Sequence, residues 1–280
     1  MTLEAAIYET TQTKYKNLIE LLRPKIAEGL IVAFSGGVDS AFLLWAAEQT
    51  RREFGGRLLA VTAVSPSLAQ VEKEDAQKFA ESLGVEHIFE ESEEFSNPAY
   101  LSNDGNRCYH CKTELFRLSA NLGERFDYKW VAYGYNASDR GDFRPGHAAA
   151  NENNVLSPLN DADLTKDDIR SLLRANGLSL SEKAASPCLS SRLMTGVRIT
   201  PKKLKDVEEM EIILRRGGLK VFRVRLHEDD KNRFLRLEVA PEEISKAVEL
   251  RDELVRLGQA LGYRWVTLDL AGYRTGGANL

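Results

Sequence analysis

The chain has 280 residues, 43% of them hydrophobic and 29% charged, which excludes a disordered chain and allows a nucleotide-binding domain with a smaller companion. No apolar run reaches the length needed to cross a bilayer, and residues 1–14 lack the features of a secretion signal, so a cytoplasmic protein is expected. The net charge of -4 argues against a polynucleotide partner, and the three cysteines, Cys108, Cys111 and Cys188, suit metal or sulfur chemistry better than disulfides.

In chain order, β-rich runs over 30–34, 58–64, 86–90 and 130–133 alternate with helical patterns over 40–52, 68–83 and 108–122. This alternation predicts an α/β fold with a doubly wound parallel sheet. A stretch over 135–154 with glycine, asparagine and proline breaks the periodicity and is expected to face a ligand. Thr165 is a suitable N-cap for a helix over 166–175, and a second irregular run over 178–196 contains Cys188. A domain boundary near Gly196 divides the chain into 1–196 and a small α+β domain, 197–280. In the latter, Thr200-Pro201 opens a helix that stops at Gly217-Gly218. Strands over 221–227 and 234–239, a long helical segment from Pro241 and a last strand over 265–270 follow.

The first chemical signal is Ser35-Gly36-Gly37-Val38-Asp39-Ser40, placed between a buried strand and a helix. The glycines let the backbone approach an anion, and successive N–H groups at a helix N-terminus face phosphates. A Walker A loop needs lysine before its Ser/Thr, and here that residue is Asp39, suited to capping the helix or binding magnesium. The loop resembles the PP-loop of the ATP pyrophosphatases, which implies cleavage of ATP to AMP and pyrophosphate. Adenylation converts a poor oxyanion leaving group into AMP, which a nucleophile then displaces.

Cys108 and Cys111 lie three apart at the start of a helical pattern, on one face, where helix N-termini favour thiolates. With Cys188 they suggest a cluster: a [4Fe-4S] centre held by three cysteines leaves one iron open to bind and deliver sulfide. A redox pair, an incidental CxxC, and zinc with His110 or water remain open. His110 points away from the face shared by its neighbours. In 221–226 strict alternation puts Phe222, Val224 and Leu226 on one face and Arg223 and Arg225 on the other. With Arg274 they can form an anion clamp, which Glu211 and Glu238 can orient or supplement by holding magnesium; the alternative is a solvated strand face with ordinary ion pairs.

The combination resembles the LarE-type sulfur transferases, PP-loop enzymes of nickel-pincer nucleotide cofactor synthesis, over nearly the whole chain. The resemblance rests on Ala33 through Ser40, Arg144-Pro145-Gly146, the run from Ala185 through Arg192, Val224-Arg225, and Val266 through Arg274. It implies ATP-dependent adenylation of the carboxylates of a pyridinium-3,5-biscarboxylic acid mononucleotide and replacement of AMP by sulfur. It further implies ATP on Ala33, Ser35, Gly36, Gly37, Asp39 and Ser40, Lys112 near the ATP phosphates, and the substrate phosphate on Arg223, Arg225 and Arg274. Glu211 and Glu238 would support magnesium or substrate, and by analogy the chain would form hexamers. Some members lose the sulfur of a single cysteine. Here Cys188 stands one residue later than that thiol, and Cys108 and Cys111 match the three-cysteine members, in which a [4Fe-4S] cluster is thought to carry the sulfide. A tRNA thiolase and a non-catalytic ATP-binding sulfur carrier are the rival readings.

Overall fold

Leu30, Ile31, Val32 and Ala33 are all buried, so the strand they form must be covered on both faces, as a central strand of a parallel sheet is. The computed structural model describes residues 3–141, 145–178, 180, 183 and 187–274. In chain order they form α1 (Leu3–Ala27), β1 (Leu30–Ala33), α2 (Val38–Phe54), β2 (Leu58–Val64), α3 (Gln70–Leu83) and β3 (Glu86–Glu91). Next come α4 (Pro98–Leu101), α5 (Arg107–Phe126), β4 (Trp130–Tyr133), α6 (Pro145–Glu152), α7 (Pro158–Asp161) and α8 (Lys166–Ala175). The chain continues through α9 (Pro201–Arg216), β5 (Phe222–Glu228), β6 (Arg233–Val239), α10 (Ile244–Glu249), α11 (Arg251–Ala260) and β7 (Trp265–Leu268).

Two compact units emerge: Met1–Ser65, Gln70–Glu94 and Cys108–Ser186 make the first, and Pro66–Ala69, Phe95–Arg107 and Pro187–Leu280 the second. The first holds a four-stranded parallel sheet in the order β3-β2-β1-β4, as the alternation of elements predicts. Because side chains alternate along a strand, Leu30 and Val32 enter a core with Leu22 and Ile26 of α1, Phe42 of α2 and Ile169 of α8. On the opposite face Ile31 joins Leu59, Val61 and Leu122 of α5. Thr165 caps α8 in a reciprocal box: its hydroxyl accepts from the Asp168 amide at 3.2 Å while its own amide donates to the Asp168 carboxylate at 3.0 Å.

The second unit holds the sheet β5-β6-β7, with β5 and β6 antiparallel and β6 and β7 parallel. Thr200 caps α9 ahead of Pro201, and the helix ends at Gly217 as expected. Val207, Met210 and Leu214 recur on its buried side at helical spacing, against β5.

Several elements differ from the sequence reading, among them the short α4 and α7, which it did not mark. The 25-residue α1 went unread, because only a narrow stripe, Leu18, Leu22 and Ile26, carries its described apolar burial. Within the stretch expected to be irregular, α6 forms where Ala149 and Ala150 bury themselves beside Tyr133 and Tyr135. The helical run from Pro241 breaks at Leu250 into α10 and α11; this leucine lies so close over Gly217 that a Cβ there would stand 2.4 Å from its Cδ1.

Candidate active site

In an open α/β sheet ligands bind beyond the carboxyl ends of the strands, where the strand order reverses. Here that point lies between β1 and β4, whose last residues, Ala33 and Tyr133, are paired in register. The predicted phosphate loop leaves β1 at this position. Gly36 takes a φ of +72°, and a Cβ on it would meet Ala76 Cβ at 3.3 Å, so glycine meets both a conformational and a spatial demand. Gly37 is the N-cap position of α2, and Asp39 lies in the first turn of that helix. The Ser40 hydroxyl donates to the Gly37 carbonyl at 3.1 Å and accepts from the Ser35 amide at 3.3 Å; the two serine hydroxyls lie 3.1 Å apart. These bonds close the loop on itself at the N-terminus of α2, a geometry suited to an anion.

Two supports of this loop escaped the sequence reading. Lys183 donates its ammonium to the Gly36 carbonyl at 3.2 Å and is anchored on α3 by Glu72 at 2.7 Å and Asp75 at 3.3 Å. Gly134, directly after β4, lies against the first turn of α2, where a Cβ would stand 2.7 Å from the Ser40 nitrogen. Beside it the Tyr133 hydroxyl is 2.7 Å from His147 Nδ1, and the His147 ring stacks on Tyr135 with centroids 4.1 Å apart. Lys112 lies next to this group, its ammonium 6.0 Å from the Tyr133 ring centroid.

Cys108 and Cys111 fall in the first turns of α5 as expected, Cys108 exposed and Cys111 half-buried. Both belong to the first unit and Cys188 to the second. Thiols one helical turn apart fit two ligands of a three-cysteine cluster. Among the described residues, no group of three or more His, Cys, Asp or Glu side chains is gathered to hold a metal ion.

The arginines of β5 share one side as the alternation predicts, but that side is buried: Arg223 is 7% and Arg225 5% exposed. The solvated-face alternative is thereby excluded. Arg225 Nε donates to Glu238 at 2.9 Å and its Nη1 to the Ser191 carbonyl at 2.8 Å, while Arg236 Nη2 donates to the other Glu238 oxygen at 2.8 Å. Arg192 donates through Nε and Nη2 to the two Glu211 oxygens at 2.9 and 3.1 Å, and Glu211 also accepts from the Val224 amide at 3.2 Å. Every carboxylate oxygen of Glu211 and Glu238 is thus engaged by a guanidinium. Both act as counterions, and the magnesium role considered for them does not fit.

Arg223 lies 5.1 Å over the Tyr273 ring, and burial, followed by the charge of Arg192, makes its proton easier to lose than an ordinary guanidinium's. Four guanidiniums, Arg192, Arg223, Arg225 and Arg236, stand against Glu211, Glu238 and Asp269, the last 3.7 Å from Arg236. Guanidiniums gathered this closely make a setting that suits an anion. Arg274 is exposed at the end of the described residues. Arg144, Ala185 and Ser186 of the sequence motifs lie outside them.

Arg192 and Arg236 are further side chains of this layer that the sequence reading left without a role. Arg192 stood inside the Cys188 motif, but its partner Glu211 is nineteen residues away, beyond any local pattern.

Residues 7–99 match the PP-loop domain family. The chain is 40% identical over 251 residues to an uncharacterized protein of Synechocystis, covering 89% of this chain and 91% of that protein. It is 32% identical over 271 residues to the pyridinium-3,5-bisthiocarboxylic acid mononucleotide synthase of Lactiplantibacillus plantarum, covering 96% of this chain and 95% of the synthase. It is also 28% identical over 251 residues to an uncharacterized protein of Methanocaldococcus jannaschii, covering 88% and 91% respectively.

Proposed function

This chain belongs to the PP-loop family of the L. plantarum synthase, and on that premise we propose that it is an ATP-dependent sulfurtransferase acting on the carboxylates of a pyridinium mononucleotide. Residues Ala33, Ser35, Gly36, Gly37, Asp39 and Ser40 hold the phosphates of ATP, with Lys112 approaching from α5. A substrate carboxylate oxygen attacks the α-phosphorus, the bond to the β-phosphate oxygen breaks, and pyrophosphate leaves. Hydrosulfide then adds to the acyl carbon and AMP departs with the electron pair of the C–O bond, leaving a thiocarboxylate and a proton.

The observation that carries this reading is the company Cys188 keeps. Three residues beyond it, the Ser191 carbonyl accepts from Arg225 at 2.8 Å, so a candidate sulfur carrier and a candidate phosphate anchor share one folded unit. The gathering of buried and half-buried guanidiniums on β5 and β6 favours a phosphate-bearing small molecule as the acceptor, and Arg223, Arg225 and Arg274 are assigned to that phosphate. Asp39, in the first turn of α2, is the residue assigned to magnesium, which neutralises phosphate charge when bound. Cys108, Cys111 and Cys188 are assigned to a [4Fe-4S] cluster, which supplies an open iron to carry sulfide.

Anaerobically purified protein, given ATP and the pyridinium dicarboxylate with sulfide, should release pyrophosphate and form the thiocarboxylate in repeated turnovers, with about four iron atoms per chain. Absence of iron, with Cys188 converted to dehydroalanine after one turnover, would sink the cluster part and leave a sacrificial transferase. Absence of substrate-dependent pyrophosphate release would sink the enzyme.

A further inference from the structure

We infer that Arg192 is a positioning residue that aims the Cys188 side chain and ties it to the arginine strand β5; this rests on the reading of Cys188 as the sulfur-carrying residue. Cys188 opens a single helical turn, Leu189–Arg192. Its carbonyl accepts from the Ser191 amide at 2.9 Å, the Ser191 hydroxyl at 2.7 Å and Arg192 Nη1 at 3.3 Å. The same Nη1 donates to the Pro187 carbonyl. Those two carbonyls belong to the peptide planes on either side of Cys188. Holding both from one nitrogen fixes its φ and ψ, and with them the direction of its Cα–Cβ bond.

Arg192 is itself immobilised. Its other two nitrogens engage Glu211 side-on, both side chains are nearly fully buried, and a two-bond fork of this kind fixes orientation as well as distance. Glu211 Oε1 is shared with the amide of Val224, the residue between Arg223 and Arg225. A second tie runs from Arg225 Nη1 to Ser191. The path from the phosphate-binding strand to the sulfur-bearing residue therefore consists of charge-assisted hydrogen bonds, buried or partly buried. Seating a phosphate and aiming the sulfur become one structural event.

The test separates the two half-reactions. Pyrophosphate and thiocarboxylate are measured together in the holoenzyme with ATP, the pyridinium dicarboxylate and sodium sulfide, with Cys188→Ala as the uncoupled reference. Arg192→Lys keeps the charge and loses the fork. Thiocarboxylate formed per pyrophosphate released should fall by about ten- to a hundredfold, the scale of a reacting group misplaced by an ångström. Glu211→Gln should shift the ratio the same way, and carries the test if the lysine variant does not fold. In metal-free protein, amide exchange at Ser191 should be about tenfold faster in either variant. A fall of both products in proportion, an unchanged ratio, or unchanged exchange would overturn the inference. If Cys188→Ala stays coupled, the reading of Cys188 fails; if it uncouples while both variants stay coupled, only the role of Arg192 does.

Discussion

Gly134 lies so close to Ser40 that a Cβ placed on it would stand 2.7 Å from the Ser40 amide nitrogen and 2.9 Å from its Cα. The neighbour is the backbone of a helix end, which cannot swing aside as a long side chain can. Gly134→Ala should therefore push β4 and the phosphate loop apart, costing about 1–3 kcal/mol of stability. Chemical denaturation and ATP-dependent pyrophosphate release should both decline. An alanine variant with a native midpoint and an unchanged KM for ATP would show that the loop tolerates the displacement.

Lys183 holds the Gly36 carbonyl, and the direction of that carbonyl decides where the following N–H points. Lys183→Met should raise KM for ATP about tenfold with kcat little changed, the pattern of lost ground-state binding. Lys183→Arg, which keeps the charge and can reach Glu72, should recover part of the loss. Steady-state kinetics of pyrophosphate release read both variants, and a fall in kcat alone would place the lysine elsewhere in the cycle.

The sequence disclosed the phosphate loop because strand, glycines and helix are contiguous, and Ser35 through Ser40 stand where the order of elements requires them. Thr165 and Thr200 were legible as caps for the same reason: a cap is a local arrangement of one hydroxyl and an amide a few residues on. Gly134 and Lys183 were not, since each acts on the loop across 94 and 147 positions of chain respectively, and neither carries a local pattern. For Arg223 and Arg225 the shared side was readable from alternation, but not its burial, which depends on Glu211, Glu238 and Arg192 arriving from other elements. α6 was hidden because its apolar face is two alanines, too small to register as a stripe.

His87 and His227 set an acid limit on the fold. Burial brings both rings to about 4, and for His227 the charges of Arg236 and Arg225 add to it. A histidine held below its unfolded value of about 6.5 is neutral in the native protein, while the unfolded chain takes up the proton. Its contribution is complete above pH 6.5 and is lost as the pH falls towards 4. Denaturation midpoints should decline between pH 7 and 5, by about 1 kcal/mol for each ring after allowance for partial exposure. His227→Gln should flatten that slope, and an equal slope in wild type and variant would assign the acid sensitivity to other groups.

Glu238 accepts from both Arg225 and Arg236, and neutralising it removes the carboxylate that the two guanidiniums share. Breaking a buried pair from one side costs about 3–5 kcal/mol, so Glu238→Gln should lower the thermal midpoint sharply. The same change tests what the arginine layer is for. With that counterion gone the layer becomes more positive, and an anion that binds the folded state restores stability in proportion to the logarithm of its concentration over its dissociation constant. Inorganic phosphate should therefore raise the midpoint of the Gln variant more than that of the wild type, while an uncharged solute of equal osmolality should not. If phosphate shifts neither protein, the arginines are a structural ion layer and the substrate phosphate must be held elsewhere.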